Sequence, residues 1–408
     1  MPKSLSSRIV AYEALQDFIP LYPLYQLLFT DHGLSPAQIS ILFVIWSTTA
    51  FVLEVPSGAW ADTYSRRKLL VLGALLSGLG YAAWITVPSF AGFAIGFVLW
   101  GTSSALISGT FEAFVYDELA ARDCTDKYAG LLGRARSAGL VANLAATALA
   151  APLFDLGGYI LAGVVSVLSC LVQAAVALTL PEAPPVEPAQ PEEDEPQPTS
   201  TRVALAEYWS MLRAGVTEAL TSRPVRRAVA LVALLGGFLA FDEYFPLLAR
   251  DAGASTTWVP LLIAGTVAAQ AIGGALAGPA YRLPAASFAV GLGATAGLIA
   301  WGALSGTAWG FAPIAIGYGV MQLVIVVAEA RLQDSITGPA RATVTSVSGF
   351  FAEVFAVAVY AGFALGSLWF SMSILVAALT IPVLLTALVV PFALPPAKNS
   401  VSTEVSEA

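Results

Sequence analysis

Twelve stretches of about 20 mostly apolar residues follow one another along almost the whole chain, and they limit its folding options more than any other feature. They run 9–30, 38–61, 69–87, 90–118, 130–153 and 158–181, then 228–250, 257–279, 285–304, 309–333, 342–364 and 368–394. Each is long enough to cross a bilayer as a helix, the one open-ended structure that satisfies its own backbone in hydrocarbon. Hydrophobic residues are 57% of the 408 and charged ones only 11%. A soluble domain needs about 25% charge to coat its surface. The expected fold is therefore all-α, a polytopic membrane protein with twelve transmembrane helices, spans 1 to 12.

The runs fall into two sets of six. Residues 1–181 make a first six-helix bundle and 228–394 a second. Residues 182–227 between them form a linker, and 395–408 a short tail. The linker opens with a Pro- and Glu-rich segment whose composition favours extended chain. It continues as an amphipathic stretch from Val203 to Leu220, expected to lie along the membrane surface.

Several function classes are disfavoured. The net charge of -8 is concentrated in the linker run Glu192 to Glu195, and the basic residues form no nucleic-acid stripe. Cys124 and Cys170 are far apart and give no disulfide or metal framework. With His32 the single histidine, no His-based metal site or Ser-His triad can form. Neither enzymatic chemistry nor a metal or cofactor is expected. Glu13 and Asp17 interrupt the first apolar run, so the N-terminus does not read as a cleavable signal.

Basic residues set the orientation. Placing the N-terminus inside puts Arg66, Arg67, Lys68, Arg122, Lys127, Arg134, Arg136, the Arg cluster at 223–227, Arg282 and Arg341 on inner loops. Arg250 alone among the 19 Lys and Arg falls at an outer end. Asp31, His32, Asp155 and Asp251 occupy the outer loops. Both termini are expected in the cytoplasm, in a plasma (inner) membrane.

The two halves repeat one another. Gly58-Ala59-Trp60-Ala61-Asp62 returns as Gly274-Ala275-Leu276-Ala277-Gly278, with Arg66 matched by Arg282. Glu112-Ala113 and Asp117 return as Glu329-Ala330 and Asp334. Asp31, Gly33 and Ser35 return as Asp251, Gly253 and Ser255. Three matches in the same order, at offsets of about 216 to 220, point to a duplication, a common origin of transporter folds.

Ionisable groups in hydrocarbon are costly and belong against protein or a watery cavity. Spans 3, 6, 9 and 12 carry none, as expected of lipid-facing helices around a central cavity. Acids sit in the others: Glu13 and Asp17, Glu54, Glu112 with Asp117 and Glu118, Asp242 and Glu243, Glu329, and Glu353. The candidate proton or substrate residues are Asp17, Glu54, Glu112, Asp117, Asp242, Glu243, Glu329 and Glu353. The bland alternative for each is a carboxyl group bonded to a neighbouring helix with no part in transport. Glu112 can be buried and protonated, paired with Arg134 or Arg136, or facing the cavity. The series Gly101, Ala105, Gly109 and Ala113 beside it reads as a packing seam.

The segment Gly58-Ala59-Trp60-Ala61-Asp62-Thr63-Tyr64-Ser65-Arg66-Arg67 resembles the loop 2–3 signature of the major facilitator superfamily, G-x-x-x-D-R-x-G-R-R. Gly58, Asp62, Arg66 and Arg67 match; Thr63 and Ser65 replace an Arg and a Gly. The six-plus-six layout, long central loop and charge-free third helices extend the resemblance along nearly the whole chain. It implies alternating access, with Asp62 locking a cytoplasmic gate against span 11. Glu54, Gly58 and Asp62 share one helix face.

Intramembrane acids outnumber bases, with Arg331 the main counter-charge, and desolvated carboxyl groups exchange protons near neutral pH. The expected function is secondary active transport of a small molecule, coupled to protons, in the direction of efflux of a hydrophobic or cationic drug or metabolite. The drug-proton antiporters are the nearest class by resemblance. Ala105 stands where their span 4 Arg would be, and their span 5 Gly-Pro motif reads Ala150-Ala151-Pro152-Leu153 with Gly157-Gly158 beyond. The alternative is proton-driven uptake of a sugar or other small nutrient, for which Tyr12, Gln16, Tyr22, Tyr25, Gln26 and Gln322 supply polar and aromatic side chains. Expected partners are the substrate, protons and the lipid bilayer, with no nucleic acid, and the protein is expected to be a monomer.

Overall fold

A computed structural model describes residues 3–181, 223–336 and 341–397, and every regular element among them is helical. The amphipathic linker stretch, most of the tail and the side chain of Asp62 lie outside the described residues.

Span 1 departs from the continuous helix expected over 9–30. It consists of α1 (Lys3–Asp17) and α2 (Tyr25–Asp31), separated by a non-helical stretch at 18–24. Pro20 and Pro23 supply the reason, because each lacks the N–H a continuing helix would need. Backbone freed inside a membrane must find other partners. Here span 6 provides them: Leu21 N–H donates to Ser166 Oγ (3.0 Å) and the Leu15 carbonyl accepts from Ser169 Oγ (2.9 Å).

Spans 2 and 3 are α3 (Pro36–Thr63) and α4 (Arg66–Thr86). Ser35 opens α3 with a capping box, its hydroxyl accepting from Gln38 N–H while the Gln38 side chain accepts from Ser35 N–H. Span 4 is α5 (Phe90–Ile107) and α6 (Thr110–Ala120), interrupted at Gly109, where φ is 70°. Spans 5 and 6 run together as α7 (Tyr128–Leu178), folded back at Gly157 and Gly158. Gly158 has φ 62° and ψ -157°, a backbone region open essentially to glycine alone.

Span 7 repeats the design of span 1. Helices α8 (Arg223–Gly237) and α9 (Phe245–Asp251) flank a 3₁₀ stretch, Phe238–Tyr244. The two interruptions lie about 220 residues apart, the offset of the repeat. Spans 8 to 12 are α10 (Val259–Ala280), α11 (Ala285–Leu304), α12 (Phe311–Ser335), α13 (Arg341–Gly366) and α14 (Met372–Ala393). Among the described residues, ten segments meet the length and hydropathy of a membrane crossing, one of them a 54-residue run that holds both spans 5 and 6. Adding the interrupted span 1 gives twelve.

Packing obeys the same pseudo-symmetry. Span 2 packs on span 4 as span 8 packs on span 10, span 7 packs on span 11 and span 9 on span 12, and spans 1 and 3 both pack on α7, span 1 against Gly139 and span 3 against Cys170. Between the halves, span 2 meets span 11 and α7 meets span 8. Gly273 and Gly319 let spans 8 and 10 touch backbone to backbone. The repeated turn is conformational as well as sequential: Gly33 has φ 86° and Gly253 φ 83°, each just after its helix end.

At the face expected to be outer, Arg250 ion-pairs with Asp31 across the halves and reaches both of its oxygens. Tyr159 donates to the same carboxylate (2.5 Å), and Thr257 donates to Asp155 (2.5 Å). The two bundles are thus tied together at that end.

Candidate functional site

The interruptions in spans 1 and 7 face each other at the junction of the halves. There the Glu243 carboxylate, only 6% exposed, projects from the 3₁₀ stretch of span 7 towards span 1. Three donors converge on it: Tyr22 OH (3.2 Å), Gln26 Nε2 (2.8 Å) and Tyr25 OH in a short contact. Helical continuation through either stretch would place these groups differently, so the broken backbone is what aims them. Hydrogen bonds to an ionised carboxylate are roughly twice as strong as neutral ones. The clasp therefore holds the halves together most firmly when Glu243 carries its charge.

Further cross-half contacts extend the junction along spans 2, 7 and 11. Ser40 and Tyr244 hydroxyls are 2.9 Å apart, and Ser47 donates to Glu353. Phe43 packs against Tyr244 (5.8 Å) and Tyr360 (5.3 Å), and Phe51 against Phe350 (5.3 Å). On the first-half side, Trp100 stacks on Trp46 at 5.1 Å and meets Tyr22 edge-on at 5.9 Å. Two buried polar atoms here have no hydrogen-bond partner among the described residues, Gln26 Oε1 and Trp46 Nε1.

The remaining candidates lie at several levels. Asp242, next to Glu243, faces the second bundle beside Tyr318, whose hydroxyl donates to the Leu239 carbonyl (2.9 Å) and so serves the broken span 7. Glu54 neighbours Glu353 along the span 2–span 11 contact. Asp17 is half-buried against Gly139 of span 5, with Glu13 alongside. Glu112 is paired with Arg136, one of the three options its position allows. Asp117 is paired with Arg66, which also donates to the Ala113 carbonyl (3.3 Å). Arg67 donates to the Leu180 carbonyl (3.2 Å). The two arginines of the loop 2–3 signature thus fasten that turn to spans 4 and 6. Gly58 is exposed on α3, and Glu329 is exposed on α12. Arg331 is committed to backbone, donating to the carbonyls of Tyr281, Leu283 (2.7 Å) and Pro395 (3.2 Å).

Sequence reasoning missed a polar cavity of about 40 Å³ inside the first bundle, lined by Gln16, Ser77, Tyr81, Trp100, Ser103 and Gln173 among others. Span 6 was expected to face lipid because it lacks charge. It also bears a neutral polar stripe, Ser166, Ser169 and Gln173, at helical spacing, and that stripe was the available signal. Phe93, Phe97 and Trp100 on span 4 carried a comparable signal for the aromatic wall.

Twelve spans in two pseudo-symmetric bundles, meeting at a junction that holds a buried acid, define a membrane transporter rather than an enzyme. The chain belongs to the Major Facilitator Superfamily, whose family model matches residues 11–359. It is 29% identical over 102 residues to the uncharacterized MFS-type transporter YxaM of Bacillus subtilis (strain 168), a match spanning 25% of each chain. The fold is similar to those of the nucleoside transporter NupG (TM-score 0.69, 12% identity, 97% and 98% of the chains covered) and the POT family transporter PepTSo (0.71, 16%, 96% and 98%). A bacterial homologue of the iron transporter ferroportin, in an inward-facing state, is similar at TM-score 0.68 with 16% identity over 95% and 98% of the chains.

Proposed function

We propose that this protein is a proton-coupled secondary transporter working by alternating access in the plasma membrane, with both termini cytoplasmic. The proposed cargo is a hydrophobic or cationic drug or metabolite moved outward, in the manner of a drug-proton antiporter. The observation that carries the proposal is the clasp on Glu243. Protonation turns a charge-assisted set of hydrogen bonds into a neutral one and weakens the tie between the halves. Proton binding and separation of the bundles are linked through one carboxyl group.

Cargo chemistry is supported by the surroundings. The aromatic wall around Trp46 and Trp100 suits a flat apolar or cationic body, the latter gaining from cation–π attraction. Gln26 Oε1 and Trp46 Nε1 retain hydrogen-bonding capacity at the same level. Gln26, with its Oε1 unpartnered among the described residues and its Nε2 donating to Tyr25 OH (3.1 Å), favours a second reading, proton-driven uptake of a sugar or other small nutrient. Asp62, the acid of the loop 2–3 signature, is proposed to lock the cytoplasmic gate.

Purified protein in sealed vesicles with an internal pH dye tests the proposal, with tetraphenylphosphonium, ethidium and glucose as probes. Addition of a transported probe should move protons, and the sign of that movement gives antiport or symport. Glu243→Gln should abolish the proton signal while leaving the protein folded, and Asp62→Asn should cripple transport with expression intact. Proton movement undiminished in Glu243→Gln would refute the assignment of the coupling acid.

A further inference from the structure

The cavity in the first bundle is built by four spans: Gln16 from span 1, Ser77 and Tyr81 from span 3, Trp100 and Ser103 from span 4, Gln173 from span 6. Its floor is already satisfied. Ser77 donates to Ser103 (2.8 Å), and Ser103 donates to the Gly73 carbonyl (2.7 Å). Its walls are not. The two glutamines touch through one long contact of 3.4 Å, donated by Gln173, which leaves the Gln16 N–H₂, one Gln173 N–H and the Gln173 carbonyl. The Tyr81 hydroxyl makes no hydrogen bond among the described residues, although the residue is only 3% exposed.

Donors and an acceptor thus converge on about 40 Å³ of space inside a bundle surrounded by lipid. Polar groups that face an enclosed space gain from a partner there, so the site suits something that both donates and accepts. No charged side chain lines the space, which disfavours an ammonium or carboxylate group there. At about 30 Å³ per water, the volume admits a single terminal hydroxyl group with its carbon and excludes a ring. Trp100 belongs both to this cavity and to the aromatic wall at the junction, where it meets Tyr22 of the Glu243 clasp.

We propose that this cavity is a specificity subsite that takes a neutral, hydroxyl-bearing arm of the cargo while the flat body of the cargo lies against Trp100. The proposal rests on the transporter reading but not on the direction of transport. Gln173, Gln16 and Tyr81 set specificity, and Glu243 carries the coupling.

A matched pair of probes tests it on the full-length protein in lipid nanodiscs. The first is 3-(1-naphthyloxy)propane-1,2-diol; the second is 1-propoxynaphthalene, the same body without either hydroxyl. Binding is read by quenching of tryptophan fluorescence. The diol should bind about tenfold more tightly than the ether. Gln173→Leu and Tyr81→Phe should each erase most of that difference and leave ether binding unchanged, because the aromatic face is untouched. Tyr81→Phe removes a single oxygen, which guards against misreading a folding defect.

Equal affinity for the two probes, or a diol preference that survives both substitutions, would mean a water-filled void only and would overturn the proposal. Absence of binding by either probe would do the same. Failure of the transporter reading is seen separately, as the absence of probe-driven proton movement in vesicles.

Discussion

Single side chains in this protein do backbone work as well as site work. Ser166 is the clearest case, since its hydroxyl is the acceptor for the Leu21 N–H left over by the interruption of span 1. Removing it strands a buried donor, at a cost of about 1–3 kcal/mol by soluble-protein measure and nearer 0.6 kcal/mol by the average for membrane proteins. Ser166→Ala should therefore lower the thermal unfolding midpoint in detergent measurably. Thr102→Val should not, because Thr102 bonds only its own helix, at the Val98 carbonyl (2.7 Å). Equal behaviour of the two variants would show that span 6 does not support the break. Glu243 has the converse role: its three donors come from the other half, so its effect is on the movement of the bundles rather than on local stability.

Interruptions give the elements their function. Spans 1 and 7 lose helix at matching depths, and each loss turns toward the junction the side chains that a regular helix would place elsewhere. Glycine permits a different kind of interruption at Gly158, where spans 5 and 6 fold back with φ 62° and ψ -157°. A side chain there has space, since a Cβ would meet nothing within 4 Å, so the penalty is conformational alone. Gly158→Ala should destabilise by about 1–3 kcal/mol. Gly274→Ala, also without a steric obstacle but inside α10, should be neutral or stabilise by up to about 1 kcal/mol. Thermal unfolding followed by circular dichroism separates the two, and equal midpoints would contradict the backbone argument.

At the scale of the whole molecule, the halves are tied at the expected outer face by Asp31, Arg250 and Tyr159. The ion pair is partly exposed, and pairs of that kind contribute about 0–1 kcal/mol. A free energy of about 1 kcal/mol is still a fivefold change in an equilibrium constant, which is a useful range for a gate. Asp31→Asn should raise the fraction of molecules open at that face by up to about fivefold. The measurement is the labelling rate of Ser40→Cys, below the tie, by a membrane-impermeant maleimide, in a background lacking Cys124 and Cys170. An unchanged rate would show that the tie does not control the gate.

Hydropathy alone determined the class and the number of spans, because hydrocarbon leaves a chain so few ways to cross it. The repeat was equally open to reading, and Gly33 and Gly253 share a conformation because each ends a helix at the same point of a duplicated turn. Asp17, Glu54, Glu243 and Glu353 could be picked out as acids in apolar surroundings. Their separate placements could not, because a carboxyl group costs the same in sequence whether it faces a partner or a crevice. Asp117 against Arg66 and Glu243 against span 1 differ only in what tertiary packing brings to them. The polar cavity was hidden for a related reason: Gln16, Tyr81 and Gln173 are neutral, lie on three different spans, and converge only when the first bundle closes.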